Sequence, residues 1–138
     1  MTKGEKRDVI ISLYNTFVLY MMVLDGDRAT KIMFLRTRIN NFKEDHLELL
    51  DRFLRYKNER HPYDTKDYAQ SLLDKEASEN TNKKTQHTKV QISCIFNFLA
   101  TDSFLEVLIE KEKKPENKKK VYNEFFLDPL NDFLETDK

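Results

Sequence analysis

The sequence has no tryptophan, a single cysteine, two glycines and three prolines. Each shortage excludes something. One cysteine forms no intrachain disulfide and, alone, no zinc site. Gly4 and Gly26 cannot build a P-loop or a dinucleotide-binding fingerprint, which need several glycines in one turn. Scarce glycine and proline argue against a sandwich or barrel, with their many tight turns. Charge of one sign is missing too. Lys plus Arg and Asp plus Glu both number 24, so no global field draws the chain to nucleic acid or to an anionic membrane.

What is present is charge in quantity, 35% of 138 residues, and aromatic volume in the form of 10 Phe and 6 Tyr. With so few helix breakers, this composition suits long amphipathic helices. The length fits one domain, residues 1–138, able to bury a core without disulfides or metals. The expected fold class is all-α, a single-domain bundle of about five to six helices.

The uncharged run Val9 to Leu24 falls short of the roughly 20 apolar residues that a bilayer span requires. Ser12, Asn15 and Thr16 share one helical stripe. Asp25-Gly26-Asp27-Arg28 follows in place of a small-residue cleavage site. A central helix buried on nearly all sides is the expected structure, rather than membrane association. Cys94, inside the apolar run Ile92 to Leu99, reads as a buried thiol in a reducing, cytoplasmic setting.

The strongest pattern is a heptad seam. Ile32, Leu35, Ile39, Phe42, His46, Leu49, Phe53 and Tyr56 alternate steps of three and four, and Met33, Leu47, Leu50 and Leu54 widen the stripe. One long helix over residues 28–60 is expected, with a length of roughly 50 Å at 1.5 Å per residue. The rival is a break at Asn40-Asn41, where Asn41 and Glu44 have capping-box spacing. The seam leaves open whether it packs within one chain or forms a homodimer. After His61-Pro62 a helix is expected to carry Tyr68, Leu72 and Leu73. Residues 78–88 hold no apolar side chain and read as a mobile loop. A further helix starts near Lys89, with a kink or restart at Thr101-Asp102-Ser103. A charged turn surrounds Pro115, a short helix carries Val121 to Phe126, and Asp128-Pro129 opens the last helix.

Residues able to carry chemistry are few. None of His46, His61 and His87 follows a Glu by three positions, no HExxH or paired cysteines occur, and Asp25-Gly26-Asp27 is too short for a calcium loop. No metal or other cofactor is expected. His46, the polar member of the seam, could set register or partner choice, and if buried it would resist protonation.

Arg55-Tyr56-Lys57-Asn58-Glu59-Arg60-His61 is similar to the Arg-x(4–6)-His element of HEPN-type ribonucleases. The resemblance implies a small all-helical domain that pairs so that two such elements line one cleft. Arg55 and His61 would then bind the phosphate and assist attack by the 2′-hydroxyl. Tyr56 stands where the family has a polar residue, and Pro62 directly follows His61.

Basic residues cluster locally. Arg28, Lys31 and Arg38 share one stripe, Arg36 and Lys43 another, and lysines from Lys111 to Lys120 crowd the Pro115 turn. Either cluster could contact phosphates. Aromatic interleaving and a compact helix-turn-helix are both lacking, so these read as solvated faces. The favoured function is a non-catalytic helical module of the adaptor, immunity or inhibitor type that binds another protein, with His46, Arg36 and Lys43 as candidate contacts. The ribonuclease reading through Arg55 and His61 comes second and a nucleic-acid-binding regulator third.

Overall fold

The computed structural model describes residues 1–23, 28–60, 87–111 and 123–137. Five α-helices lie among them: α1 (Lys3–Val23), α2 (Arg28–Arg38), α3 (Glu44–Glu59), α4 (Lys89–Lys111) and α5 (Asp128–Thr136). A 3-10 turn at Ile39–Asn41 and a π turn at Asn123–Leu127 complete the order. No strand occurs among the described residues, and the expected all-α bundle is the fold observed. The helix expected around Tyr68, most of the 78–88 loop and the Pro115 turn fall outside the described residues.

The helices begin where local chemistry satisfies their free amides. Thr2 caps α1, its Oγ1 accepting from Glu5 N at 3.1 Å. A reciprocal capping box opens α4. Thr88 Oγ1 accepts from Gln91 N at 3.1 Å, and Gln91 Oε1 accepts from Thr88 N at 3.0 Å. α4 then runs unbroken to Lys111, so Thr101 to Ser103 neither end nor restart it. Pro129 sits in the first turn of α5, as its fixed φ favours. Asp128 is no cap, however, because Leu127 before it is already helical and the π turn feeds straight into α5.

The long helix expected over 28–60 is interrupted. After the 3-10 turn, Phe42 (φ −110°, ψ 148°) and Lys43 (φ −67°, ψ 139°) are extended, and α3 starts afresh at Glu44. Asn40 and Asn41 are weak helix formers whose side chains compete for backbone partners. The predicted capping box does not form, since Lys43 occupies the cap position without a side-chain bond. Tertiary packing supplies the reason for the break. Ile39 is buried and the Phe42 ring meets Phe17 edge-on at 5.5 Å, so the chain folds back on its own core. The seam kept its phase because α2 and α3 bury the same stripe separately. Leu35, Ile39, Leu49 and Phe53 are all in the core of this single chain.

That core lies among α1, α3, α4 and α5, with α3 against α4 as its most extensive helix pair. Tyr14 stacks on Phe126 at 4.3 Å and meets Phe98 edge-on at 5.6 Å, while Phe53 joins Phe126 and Phe133. Each fully buried ring contributes about 1.5–3 kcal/mol of transfer energy. Burial on all sides is found instead in α4, where every residue from Ser93 to Thr101 is buried. α1, expected in that role, buries the stripe Ile10, Leu13, Tyr14, Phe17 and Met21 over residues 3–21 and turns Ser12, Asn15 and Leu19 outward. Among the described residues no helix is long and apolar enough to cross a membrane.

Candidate functional site

A helix buried on all sides should be apolar, yet α4 carries Ser93, Asn97 and Thr101 at four-residue spacing inside the core. They share one face. Facing them on α3 are Asp51, Arg55 and Asn58, again on one face, and the two sets form a polar ladder between the helices. Asp51 Oδ1 accepts from Ser93 Oγ at 2.9 Å and from Asn97 Nδ2 at 3.0 Å. Asp51 Oδ2 pairs with Arg55 Nε at 3.1 Å, and Arg55 Nη2 donates to Ser93 Oγ at 2.6 Å. One turn on, Asn58 Nδ2 donates to the Asn97 carbonyl oxygen at 3.2 Å, and Thr101 Oγ1 donates to Asn58 Oδ1 at 2.7 Å.

Burial raises the Asp51 pKa above the ordinary carboxylate value, with Arg55, Ser93 and Asn97 opposing the rise. The Cys94 thiol, beside the ladder on α4, is pushed well up by complete burial and by the Asp51 charge, which leaves it inert as a nucleophile. Lys57, in the last turn of α3, is only 3% exposed. Its Nζ lies 3.0 Å from the centroid of the Phe125 ring. Desolvation lowers its pKa to about 7.

The residues singled out in sequence are not brought together by the fold. Arg55 is mostly exposed along its side chain, but its guanidinium is committed to Asp51 and Ser93. His61 lies outside the described residues. Arg36 is nearly buried, at 7% exposure, with its carbonyl oxygen 3.1 Å from His87 Nε2. Lys43 is exposed and lies beyond the helix break, so the stripe linking it to Arg36 does not exist. His46 is half-buried in the first turn of α3, and its backbone amide donates to Asp45 Oδ1. Among the described residues no three His, Cys, Asp or Glu side chains gather as metal ligands.

Sequence reasoning missed the ladder and Lys57. The ladder left a trace, because polar residues four apart in the apolar run Val90 to Ala100 declare a polar stripe that something must face. Lys57 left none, since a lysine between Tyr56 and Asn58 in a charged helix reads as solvated.

A second, outward-facing feature occupies the α1–α2 corner. Tyr20 and Phe34 meet edge-on at 5.5 Å, and the Arg38 guanidinium lies 3.9 Å from the Phe34 centroid. All three side chains are half-exposed. Beside them in sequence, Leu19 on α1 is 59% exposed and Met33 on α2 is 58% exposed. Compared with known protein families, characterised proteins and solved structures, the chain matches none.

Proposed function

We propose that this chain is a non-catalytic helical module that acts by binding another protein through its α1–α2 corner. The observation that carries the reading is the make-up of that corner. Leu19, Tyr20, Met33, Phe34 and Arg38 present apolar, aromatic and guanidinium surface to solvent. Tyr, Phe, Met and Arg are the side chains enriched at protein interfaces, and rings held by one another lose little entropy on binding. The polar groups of the ladder, by contrast, are spent on each other, and Cys94 is buried and inert. A reducing, cytoplasmic setting fits that free thiol.

The ribonuclease reading draws no support from Arg55, whose guanidinium is already occupied by a buried carboxylate. The reading of α2 as a phosphate-binding stripe is weakened by the burial of Arg36.

The test is site-specific photocrosslinking in the cells of origin, with a photoreactive amino acid at Met33 and, as control, at exposed Asp132 on α5. A discrete crosslinked protein from position 33 and not from position 132 is the expected result. The same products from both positions, or none from position 33, would overturn the proposal.

A further inference from the structure

The polar ladder sits on a helix whose rotation no apolar stripe decides. Elsewhere such a stripe does decide it. α1 buries Ile10, Tyr14 and Phe17 and exposes Ser12 and Asn15. α3 buries Leu47, Leu50 and Leu54 and exposes Glu48, Arg52 and Glu59. α5 buries Leu130, Phe133 and Leu134 and exposes Asn131, Asp132 and Glu135. Turning any of these about its axis would drive polar or charged side chains into the core and bring apolar surface out to water. α4 differs. From Ser93 to Thr101, more than two turns, every residue is buried, so none of its faces there is turned to solvent.

Within that stretch Cys94, Ile95, Phe96, Phe98, Leu99 and Ala100 are apolar. Apolar side chains repack in a core, and the core loses its single arrangement before it loses stability. Ser93, Asn97 and Thr101 are different, because each buried polar group needs a particular partner. Asp51 accepts from Ser93 and Asn97, and Asn58 bonds the Asn97 carbonyl oxygen and the Thr101 hydroxyl. The order of these contacts shows that α3 and α4 run in the same direction. Gln91, near the start of α4, accordingly bonds Asn40, just before α3. Like ends of the two helix dipoles lie side by side, which the backbone itself disfavours. Nor is stability a sufficient reason for the ladder. A buried carboxylate with its partners returns little beyond what its desolvation costs, and apolar replacement of a whole buried network is often neutral or stabilising.

We propose that the ladder is an alignment device, which fixes the rotation of α4 against α3 where apolar packing alone does not. The proposal goes beyond the interaction reading above and does not depend on it. On an amphipathic helix the apolar stripe chooses the inward face; on α4 the polar stripe chooses the face that meets α3. A rotation of α4 by one residue, about 100°, would carry Ser93 and Asn97 away from Asp51 and leave the carboxylate and both donors unpaired in the core. The same setting decides which α4 side chain reaches α1. Phe98, next to Asn97, meets Tyr14 at 5.6 Å and Phe17 at 5.2 Å. The ladder on one side of α4 thereby aligns the ring packing on the other.

Cys94, the single cysteine of the chain and buried on α4, serves as the reporter. The experiment strips the ladder in the full chain with Asp51→Leu, Ser93→Ala, Asn97→Ala, Asn58→Leu and Thr101→Val. It compares urea stability with the rate at which an aromatic disulfide reagent labels the Cys94 thiol. In the wild type, labelling should wait on global unfolding and follow the urea stability. The stripped chain should keep its helical content and a cooperative transition. Its Cys94 should nevertheless be labelled about tenfold or more faster than its own global unfolding allows, and α4 amides should give more than one NMR peak each. Leu134→Ala removes core volume away from the ladder and should speed labelling only as far as it lowers global stability. If the stripped chain does not fold, Asn58→Leu/Thr101→Val, which leaves the Asp51 contacts in place, should show the same excess labelling. Labelling that tracks global unfolding, with one set of peaks, in the stripped chain or in that smaller variant would mean that apolar packing sets the rotation, and overturns the proposal. Excess labelling in Leu134→Ala would mean that any lost core volume loosens α4, and overturns it too.

Discussion

Ser93 on α4 donates its hydroxyl proton to the carboxylate of Asp51 on α3 at 2.9 Å, inside the core. The same oxygen accepts from Arg55 and Asn97, so one hydroxyl joins three partners. Ser93→Ala leaves the buried Asp51 carboxylate short of a donor, and a cost of about 1–3 kcal/mol is expected. Asp51→Asn keeps an acceptor oxygen and sheds the desolvation cost of a buried charge, so it should cost less than Asp51→Ala. Urea denaturation of the two single variants and the double variant gives the coupling. If Ser93→Ala and Asp51→Asn add within about 0.5 kcal/mol, the two residues do not act as one unit.

Lys57 makes stability depend on pH. Its folded pKa, lowered by burial to about 7, lies below the value of 10.5 for a free lysine. Between those values the unfolded chain binds the extra proton, so stability rises with pH across that window and the cost is complete below about pH 7. The face of Phe125 offsets part of the lost hydration of the ammonium. Lys57→Met removes the charge and keeps a flexible chain able to touch the ring. It should stabilise the fold at pH 6 by about 1–3 kcal/mol and flatten the rise toward pH 10. A wild-type stability curve that is level or falling over pH 7–10 would contradict this account.

These two features mark where the sequence stops being legible. Helix class and the main core were open to pattern reading because apolar spacing records which face is buried, and Leu35, Ile39, Leu49 and Phe53 obeyed it. Continuity was not legible. The same spacing arises from one rod or from two helices burying a common stripe, and only packing against Phe17 on α1 distinguishes them. The polar ladder was half legible, since Ser93, Asn97 and Thr101 announce a polar stripe but their partners on α3 are about 40 residues away in sequence. The burial of Lys57 depends on a ring nearly 70 residues further along, so no local pattern encodes it.

Asp137 ties the two ends of the described chain together. Its Oδ2 lies 2.9 Å from Lys6 Nζ on α1 and 3.2 Å from Arg52 Nη2 on α3. Burial works against its ionisation, but the hydrogen bond from Lys6 and the nearby Arg52 charge outweigh it and lower its pKa. The stability it contributes is therefore present above the ordinary carboxylate pKa and is lost as pH falls through its lower folded value. Asp137→Asn should lower stability at pH 7 by about 1 kcal/mol and should match the wild type in strong acid. An equal gap at pH 7 and pH 2 would mean that packing, and not the charge, is what Asp137 supplies.

Arg55 offers the sharpest test between binding and catalysis. A phosphate-binding arginine must reach its ligand, and the Arg55 guanidinium is held by Asp51 at 3.1 Å and Ser93 at 2.6 Å. Because Asp51 is buried, removing the arginine strands a carboxylate, and leaving a buried charge unpaired is costly. Arg55→Ala should therefore raise the Asp51 pKa further, seen by carboxyl-carbon NMR titration. The loss of stability should be about 1–3 kcal/mol, moderated by the water that reaches this half-exposed pair. In Arg55→Ala/Asp51→Asn most of that loss should return, because no charge is left stranded. A structural arginine predicts this rescue of stability together with no RNA cleavage in any of the variants or the wild type. A catalytic arginine predicts the opposite pattern: cleavage in the wild type, abolished by Arg55→Ala and not restored by Asp51→Asn, whatever the stability does.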